Sequence, residues 1–156
     1  MRIKDKINLD YLGLIEHGPI NIVCFGLNDV NGTKEDYLES LKIIFEKCLE
    51  STAEVIFMTP NMLNTYVSAD TDANVLDYAN ITVSFQNGGR MDDYIFSAAD
   101  LAKQMGVKVC DCYSLWKELS KTKDTTLMLA NRINHPTREM HKLFADSIFD
   151  IIFDKN

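Results

Sequence analysis

A strand-like segment early in the chain runs directly into side chains that can bind a ligand. Residues 20–25 are mostly apolar, and Gly26, Asn28 and Asp29 follow them. Ligands of doubly wound α/β folds bind beyond the carboxyl ends of the strands, so the Asn28 amide and the Asp29 carboxylate are predicted to stand at the mouth of a site. The alternative is an ordinary turn, in which Gly26 and Asn28 are present because they tolerate unusual backbone angles.

The elements that must position these residues alternate between strand and helix. Two more short apolar segments, 54–59 and 107–110, are predicted strands, and Pro60 with Asn61 closes the first of them. Helices are predicted from helical spacing at 9–15, from a Thr33 cap to about Leu49, at 91–105, at 113–119 and from Pro136 onward. Residues 61–90 lack a clean period and suggest a functional loop or lid, with a short helix near 75–78. This alternation predicts an α/β fold, a three-layer α/β/α sandwich on a flavodoxin-like, mostly parallel sheet.

Length and composition limit the classes of protein that this chain can be. Its 156 residues predict one domain over residues 1–156, and a formal net charge of -7 without a Lys or Arg cluster argues against nucleic-acid partners. No apolar run reaches the roughly 18 residues that a membrane span needs, and the amino end lacks the pattern of a secretory signal, so a cytoplasmic location is expected. The four cysteines lack the spacing of a zinc site and are predicted buried thiols, and no cofactor or metal is expected.

Three motifs in chain order resemble sequence blocks of the SGNH, or GDSL-type, esterases and acylhydrolases. They are Phe25-Gly26-Leu27-Asn28-Asp29, Thr59-Pro60-Asn61 and Asn134-His135-Pro136, and the likeness covers nearly the whole chain. The resemblance implies hydrolysis of acyl or acetyl esters of small molecules, with His135 as the general base and Asn28 as the side-chain donor to the oxyanion. The binding residues that it implies are Gly26, Asp29, Asn61, Asn131 and Asn134.

Two positions depart from the family pattern. The family's nucleophile lies in a Gly-Asp-Ser motif, which this chain lacks, and its only Asp-Ser pair, Asp146-Ser147, is predicted to lie inside the last helix. The family's aspartate lies three residues before the histidine, where this chain has Arg132. Either a backbone carbonyl or Asn131 orients the imidazole, or the site works as a dyad, and the sequence leaves these alternatives open. Arg132 itself is expected to point outward into solvent.

The absent Gly-Asp-Ser block leads to a structural hypothesis. In a flavodoxin-like sheet of order 2-1-3-4-5, the strand that precedes the serine would lie beside the strand formed by residues 20–25. An apolar strand with an unpaired edge is a template for another strand, so a second copy of the chain or a rearranged amino-terminal segment is expected to cover it. The two-chain version predicts a homo-oligomer.

Two other functions compete with ester hydrolysis. The first is a catalytically inactive or fragmentary member of the family that acts as a binding or assembly module, because the serine motif is absent. The second is an unrelated flavodoxin-like domain that binds a nucleotide. We rank the second low because no Gly-rich phosphate loop follows any predicted strand.

Overall fold

The computed structural model describes residues 20–50 and 53–153 of the chain. They form three strands, β1 (Ile20–Val23), β2 (Glu54–Met58) and β3 (Lys108–Cys110), and five helices, α1 (Lys34–Leu49), α2 (Leu76–Asn87), α3 (Arg90–Gln104), α4 (Cys112–Leu119) and α5 (His141–Phe153). Short 3-10 turns lie at Asp29–Asn31 and Ala73–Val75. The helix predicted at 9–15 lies outside the described residues.

The three strands form a parallel sheet in the order β1-β2-β3. Ile22 of β1 lies opposite Ile56 of β2, and Phe57 of β2 lies opposite Val109 of β3. The β2 residues Val55, Ile56 and Phe57 are all buried, as expected of a central parallel strand covered on both faces. The predicted α/β class with a parallel sheet is confirmed. The consecutive order also matches the end of the flavodoxin order, in which strands 3, 4 and 5 are neighbours.

The described residues cluster into two compact units, which we describe separately. The first contains residues 20–50 and 53–59 together with Tyr94–Cys110. Within it α1 packs on the sheet, where the rings of Phe45 and Phe57 meet edge to face at 5.6 Å. Tyr94 of α3 packs on α1, where its ring stacks on the ring of Tyr37 at a centroid distance of 5.9 Å. The predicted Thr33 cap is confirmed, since its hydroxyl accepts the Asp36 N–H at 3.2 Å.

The second unit contains Pro60–Asp93 and residues 111–153, with α2, α4 and α5. Here α2 extends over twelve residues, so the region predicted as a long loop with a short helix is largely helical. The helical period was hidden because two of its buried positions are polar. Thr82 donates to the Asn64 side chain at 2.6 Å, and Gln86 accepts the Leu63 N–H at 2.8 Å. Buried polar side chains with such partners are stable but give no apolar stripe.

The last helix begins five residues later than the sequence predicted. Pro136 does not open α5, which starts at His141. Instead Pro136 forms an antiparallel bridge with Leu129, and the Thr137 N–H donates to the Met128 carbonyl at 2.9 Å. This pairing holds the backbone around Pro136 in an extended conformation, which is incompatible with a first helical turn. The pair Asp146-Ser147 does lie inside α5, as predicted.

Three further sequence predictions concern cysteines, membranes and metals. Cys48, Cys110 and Cys112 are buried as predicted, but Cys24 is exposed, so the prediction of buried thiols is wrong there. No helix in the described part of the chain has the length and apolar character needed to cross a lipid bilayer. Among residues 20–50 and 53–153, no three His, Cys, Asp or Glu side chains are arranged to hold a metal ion.

Candidate functional site

The turn after β1 is built around Gly26. Its φ of +133° lies in a region that residues with a Cβ rarely adopt. A Cβ at this position would also lie 2.6 Å from Ile95 Cδ1 and 2.8 Å from the Tyr37 hydroxyl oxygen. Both observations require glycine here, so the sequence prediction of an unusual backbone angle is confirmed for Gly26.

Asn28 does not need an unusual backbone angle. Its φ and ψ are −94° and −22°, in the ordinary right-handed region, so the simple-turn explanation is wrong for this residue. The side chain is exposed, and within the described ranges no hydrogen bond reaches its amide group. Both amide protons of Asn28 are therefore available to an incoming ligand.

Asp29 braces the turn that presents Asn28. Its Oδ2 accepts the Gly26 N–H at 3.0 Å, and its backbone carbonyl accepts the Gly32 N–H at 2.8 Å. A carboxylate that accepts a backbone N–H across a turn holds that turn in one conformation. Asp29 thus acts on the backbone of the turn.

Two tyrosines secure the ends of the same turn. The Tyr37 hydroxyl donates to the Phe25 carbonyl at 3.0 Å, and the Tyr94 hydroxyl donates to the Gly32 carbonyl at 2.7 Å. Burial, with Asp29 and Cys24 nearby, raises the pKa of Tyr37 well above its ordinary value, so this hydroxyl stays protonated and remains a donor. Both tyrosines lie in segments that the sequence predicted to be helical, but their contacts with the turn come from tertiary packing.

The segment that carries His135 is organised by one asparagine side chain. Asn131 Oδ1 accepts the backbone N–H groups of Ile133 at 3.1 Å, of Asn134 at 3.0 Å and of His135 at 3.0 Å. Its Nδ2 donates to Asn134 Oδ1 at 2.8 Å. Asn131 is therefore committed to the backbone, and the alternative in which its side chain orients the imidazole does not describe this structure.

Asn61 and Asn64 donate hydrogen bonds to carbonyl groups of the same segment. Asn61 is buried, and its Nδ2 donates to the Asn134 carbonyl at 2.9 Å and to the Met62 carbonyl at 2.8 Å. The Asn64 N–H donates to the Ile133 carbonyl at 2.9 Å. Asn134 is also buried. Asn61, Asn131 and Asn134, which were implied as binding residues, form a network that fixes the backbone before His135.

Arg132 is not a solvated surface residue. Its Nε donates to Asp70 at 2.9 Å, and its guanidinium also donates to the carbonyls of Leu127 at 3.0 Å and Leu129 at 2.8 Å. Bonds from Ser68 and Arg132 hold the pKa of the Asp70 carboxyl below its ordinary value, so the ion pair persists at neutral pH. The expectation of an outward Arg132 was wrong, because backbone carbonyls and a distant aspartate offer it partners that the sequence does not reveal.

Residues 65–70 contact residues 124–132 through hydrogen bonds that the sequence did not reveal. The Thr65 N–H donates to Thr126 Oγ1 at 3.0 Å, and the Tyr66 hydroxyl donates to Asp124 Oδ2 at 2.7 Å. That hydrogen bond raises the pKa of Tyr66. Together with the pair formed by Arg132, these contacts attach the loop before α2 to the segment that leads to His135. Only the irregular pattern of residues 61–90 pointed to this region.

The His135 imidazole is exposed and chemically available. Neither ring nitrogen is hydrogen-bonded to any residue that the structure describes. An imidazole in this state can accept a proton from a hydroxyl or from water. Asn28 belongs to the first compact unit and His135 to the second, so their meeting in one site stays a prediction.

The parallel sheet and its helices have the same α/β fold as solved esterase structures, and a fold of this class is what the sequence resemblance implied. The solved structure of Axe2, an acetylxylan esterase from Geobacillus stearothermophilus, matches with a TM-score of 0.73 and 15% identity over 98% of this chain and 68% of that chain. The acetyl xylan esterase AlAXEase matches with a TM-score of 0.71 and 16% identity over 98% and 77% of the two chains. LAE5, an α/β hydrolase from the metagenome of Lake Arreo, Spain, matches at 0.69 and 18% identity over 96% and 66%.

These similarities are structural. TM-scores of 0.69 to 0.73 establish the fold. Because the identities are only 15% to 18%, the reaction and substrate of this chain have to be argued from its own residues. No protein-family model matches the sequence, and no curated protein matches it.

Proposed function

We propose that this chain supplies the imidazole and amide parts of an ester-hydrolase site that acts on acyl or acetyl esters of small molecules. His135 is the general base, and Asn28 is the side-chain donor to the oxyanion. The observation that carries the proposal is the exposed His135 imidazole, which has no hydrogen-bond partner among residues 20–50 and 53–153, on a backbone segment held by Asn131. A base must be accessible to substrate and fixed in position, and this arrangement meets both requirements.

The role of Asn28 follows from the chemistry of ester cleavage. As a nucleophile attacks the carbonyl carbon, the carbonyl oxygen becomes negative, and a preorganised donor stabilises that charge. The Asn28 amide donates to no residue in the described part of the chain, and the Asp29 bond to the Gly26 N–H holds its turn in one conformation. Loss of one such donor commonly lowers the rate by about a hundredfold to a thousandfold.

The other implied binding residues have supporting roles in this proposal. Gly26 and Asp29 fix the turn under Asn28, while Asn61, Asn131 and Asn134 fix the segment under His135. Arg132 occupies the position of the family's aspartate but is engaged with Asp70, so no carboxylate from position 132 faces the imidazole. We therefore propose a histidine base without a triad aspartate.

A second candidate is favoured by the absence of Gly-Asp-Ser from the 156 residues. A hydrolase without its nucleophile loses covalent catalysis and keeps binding and oxyanion stabilisation. In this reading the chain is a catalytically inactive or fragmentary member of the family that binds an acylated ligand or assembles with another chain. The two candidates differ in whether removal of His135 changes a rate.

Assembly and location belong to the same proposal. We propose a homo-oligomer formed through the edge of the strand predicted at residues 20–25, because β1 is an edge strand of the described sheet and its apolar side chain Ile22 is 47% exposed. A cytoplasmic location is supported by the cysteines at positions 24, 48, 110 and 112, none of which forms a disulfide in the described structure. The proposed partners are small ester substrates, without nucleic acid.

Hydrolysis of p-nitrophenyl acetate by the purified chain tests the proposal. We expect a rate above buffer that falls by about a hundredfold in His135→Ala, because general-base catalysis contributes roughly that much, and that also falls in Asn28→Ala. His141→Ala is the matched control, since His141 is a second exposed histidine, on α5, and its variant should keep the wild-type rate. Equal rates in wild type and His135→Ala would reject His135 as the base and favour the binding module.

A further inference from the structure

We propose that Asn131 is a positioning residue for His135, holding the histidine through its backbone where the family holds it through a carboxylate on the ring. The inference rests on the proposed role of His135 as the base. It concerns how the base is held in place, which neither the fold nor the resemblance assigns to this residue.

Every N–H and C=O group from residue 133 to residue 135 is hydrogen-bonded. The three N–H groups donate to Asn131 Oδ1 at 3.0 to 3.1 Å. The three carbonyls accept from the Asn64 N–H at 2.9 Å, from Asn61 Nδ2 at 2.9 Å and from the Ala130 N–H at 2.7 Å. Half of the bonds that define this segment therefore end on a single oxygen atom.

Arg132 lies between Asn131 and this segment in the chain. Its φ is +60°, a left-handed conformation that costs a residue with a Cβ about 1–2 kcal/mol. This conformation reverses the chain direction so that the N–H groups of residues 133–135 face the Asn131 side chain. The guanidinium bonds to Asp70 and to the carbonyls of Leu127 and Leu129 hold Arg132 in that conformation. A strained residue with this many independent constraints is typical of a functional segment.

A general base must be held precisely in position. Misplacement of a catalytic group by about 1 Å can lower a rate by about a hundredfold. Position 132 supplies no carboxylate to orient the ring, so the Cα and Cβ of His135 must be fixed by the backbone. Asn131 does this with one side chain, and its Nδ2 bond to Asn134 keeps the accepting oxygen pointed at the three N–H groups.

The experiment compares Asn131→Ala with Asn131→Asp. The alanine variant removes the acceptor, whereas aspartate keeps an oxygen in its place, and the Asn134 amide can rotate to donate to it. We measure amide hydrogen exchange of residues 133–135 and the order parameter of the His135 ring by NMR, with His141 as the internal control. In Asn131→Ala we expect exchange at these three amides to accelerate by about tenfold or more and the His135 ring to become more mobile. Asn131→Asp should resemble the wild type, and His141 should not change in either variant.

Activity adds a second readout. In Asn131→Ala the kcat for ester hydrolysis should fall with little change in KM, because the base is displaced while substrate binding is retained. Exchange at Thr82 and Gln86 of α2, which are buried in the same compact unit as Asn131, reports whether the variant is folded. If Asn131→Ala does not fold, Asn131→Ser, whose shorter hydroxyl reaches fewer of the N–H groups, should give an intermediate acceleration.

The outcomes separate this inference from the proposed function. Unchanged exchange at residues 133–135 and an unchanged His135 ring in folded Asn131→Ala would overturn the inference. A loosened ring in Asn131→Ala, combined with equal hydrolysis rates in wild type and His135→Ala, would instead reject His135 as the base while leaving the hydrogen-bonding role of Asn131 intact.

Discussion

Single atoms decide the geometry of both candidate segments. Gly26 lacks the Cβ that would collide with Ile95 and Tyr37, and Asn131 contributes one oxygen that gathers three N–H groups. In each case a small local feature leaves a neighbouring side chain exposed and without a described hydrogen-bond partner, Asn28 in the first and His135 in the second. The residues with the predicted chemistry are therefore separate from the residues that hold them.

Replacement of Gly26 by alanine should destabilise the fold strongly. The added Cβ meets both a positive φ and close contacts, for which we expect a loss of about 2–4 kcal/mol in the free energy of unfolding. Gly106→Ala is the matched control, since Gly106 also has a positive φ of +76° but nothing within 4 Å of the added atom. Its loss should be about 1 kcal/mol. Equal losses for the two variants in urea denaturation would show that the contacts at Gly26 do not matter.

Tyr37 should make stability depend on pH in the alkaline range. Its pKa in the folded state is raised by burial above its ordinary value, so the unfolded chain releases this proton first. The contribution of protonated Tyr37 to the free energy of unfolding is fully present below about pH 10. It is lost as the pH rises further, by up to about 1.4 kcal/mol per pH unit. Tyr37→Phe should cost about 1 kcal/mol at neutral pH through the lost bond to Phe25, and its stability should fall less steeply above pH 10. Parallel urea midpoints of the two proteins between pH 8 and 11 would contradict this.

At the scale of elements, helix boundaries follow local capping where the cap is a side chain nearby in sequence. Helix α1 begins after Thr33 because its hydroxyl satisfies the Asp36 N–H, and the prediction found this start. Helix α5 begins at His141 because Pro136 pairs with Leu129 across a loop, which the sequence pattern did not reveal. The difference lies in whether the competing hydrogen bond comes from a neighbour in sequence or from a partner that folding supplies.

Thr33→Ala should weaken the start of α1. Loss of the capping oxygen leaves the Asp36 N–H without its side-chain acceptor and should lower the free energy of unfolding by about 1 kcal/mol. Thr33→Ser retains a hydroxyl at the same position and should remain close to the wild type. Thermal or urea unfolding of the three proteins measures the effect, and an alanine variant as stable as the serine variant would refute the capping role.

At the scale of the whole molecule, the consecutive order β1-β2-β3 leaves β1 at an edge of the described sheet. Its residues have the composition of a central strand, yet Ile22 is 47% exposed and Phe25, just beyond the strand, is 37% exposed. A mismatch between composition and position is typical of an edge that pairs with another strand. This mismatch supports the proposed homo-oligomer.

Sedimentation at micromolar concentration tests whether β1 forms an interface. We expect an oligomer for the wild type and a monomer for Ile22→Lys, because a charge on an edge strand opposes pairing. Ile43→Lys is the matched control, since Ile43 is a similarly exposed isoleucine (39%) on helix α1, and this variant should keep the wild-type assembly. A wild type that sediments as a monomer would reject the two-chain version of the hypothesis.

The sequence by itself determined the α/β class, the three parallel strands and the limits of α1, because apolar periodicity and local caps are properties of neighbouring residues. It also shows that these 156 residues contain no Gly-Asp-Ser, and it predicts His135 and Asn28 as the residues with the relevant chemistry, which stays a prediction. Only the tertiary structure decided that Asn131 holds the backbone of His135, that Arg132 pairs with Asp70, and that Thr82 and Gln86 are buried in α2. These features depend on polar partners far away in sequence, and a buried polar group is recognisable only when its hydrogen-bond partner is known.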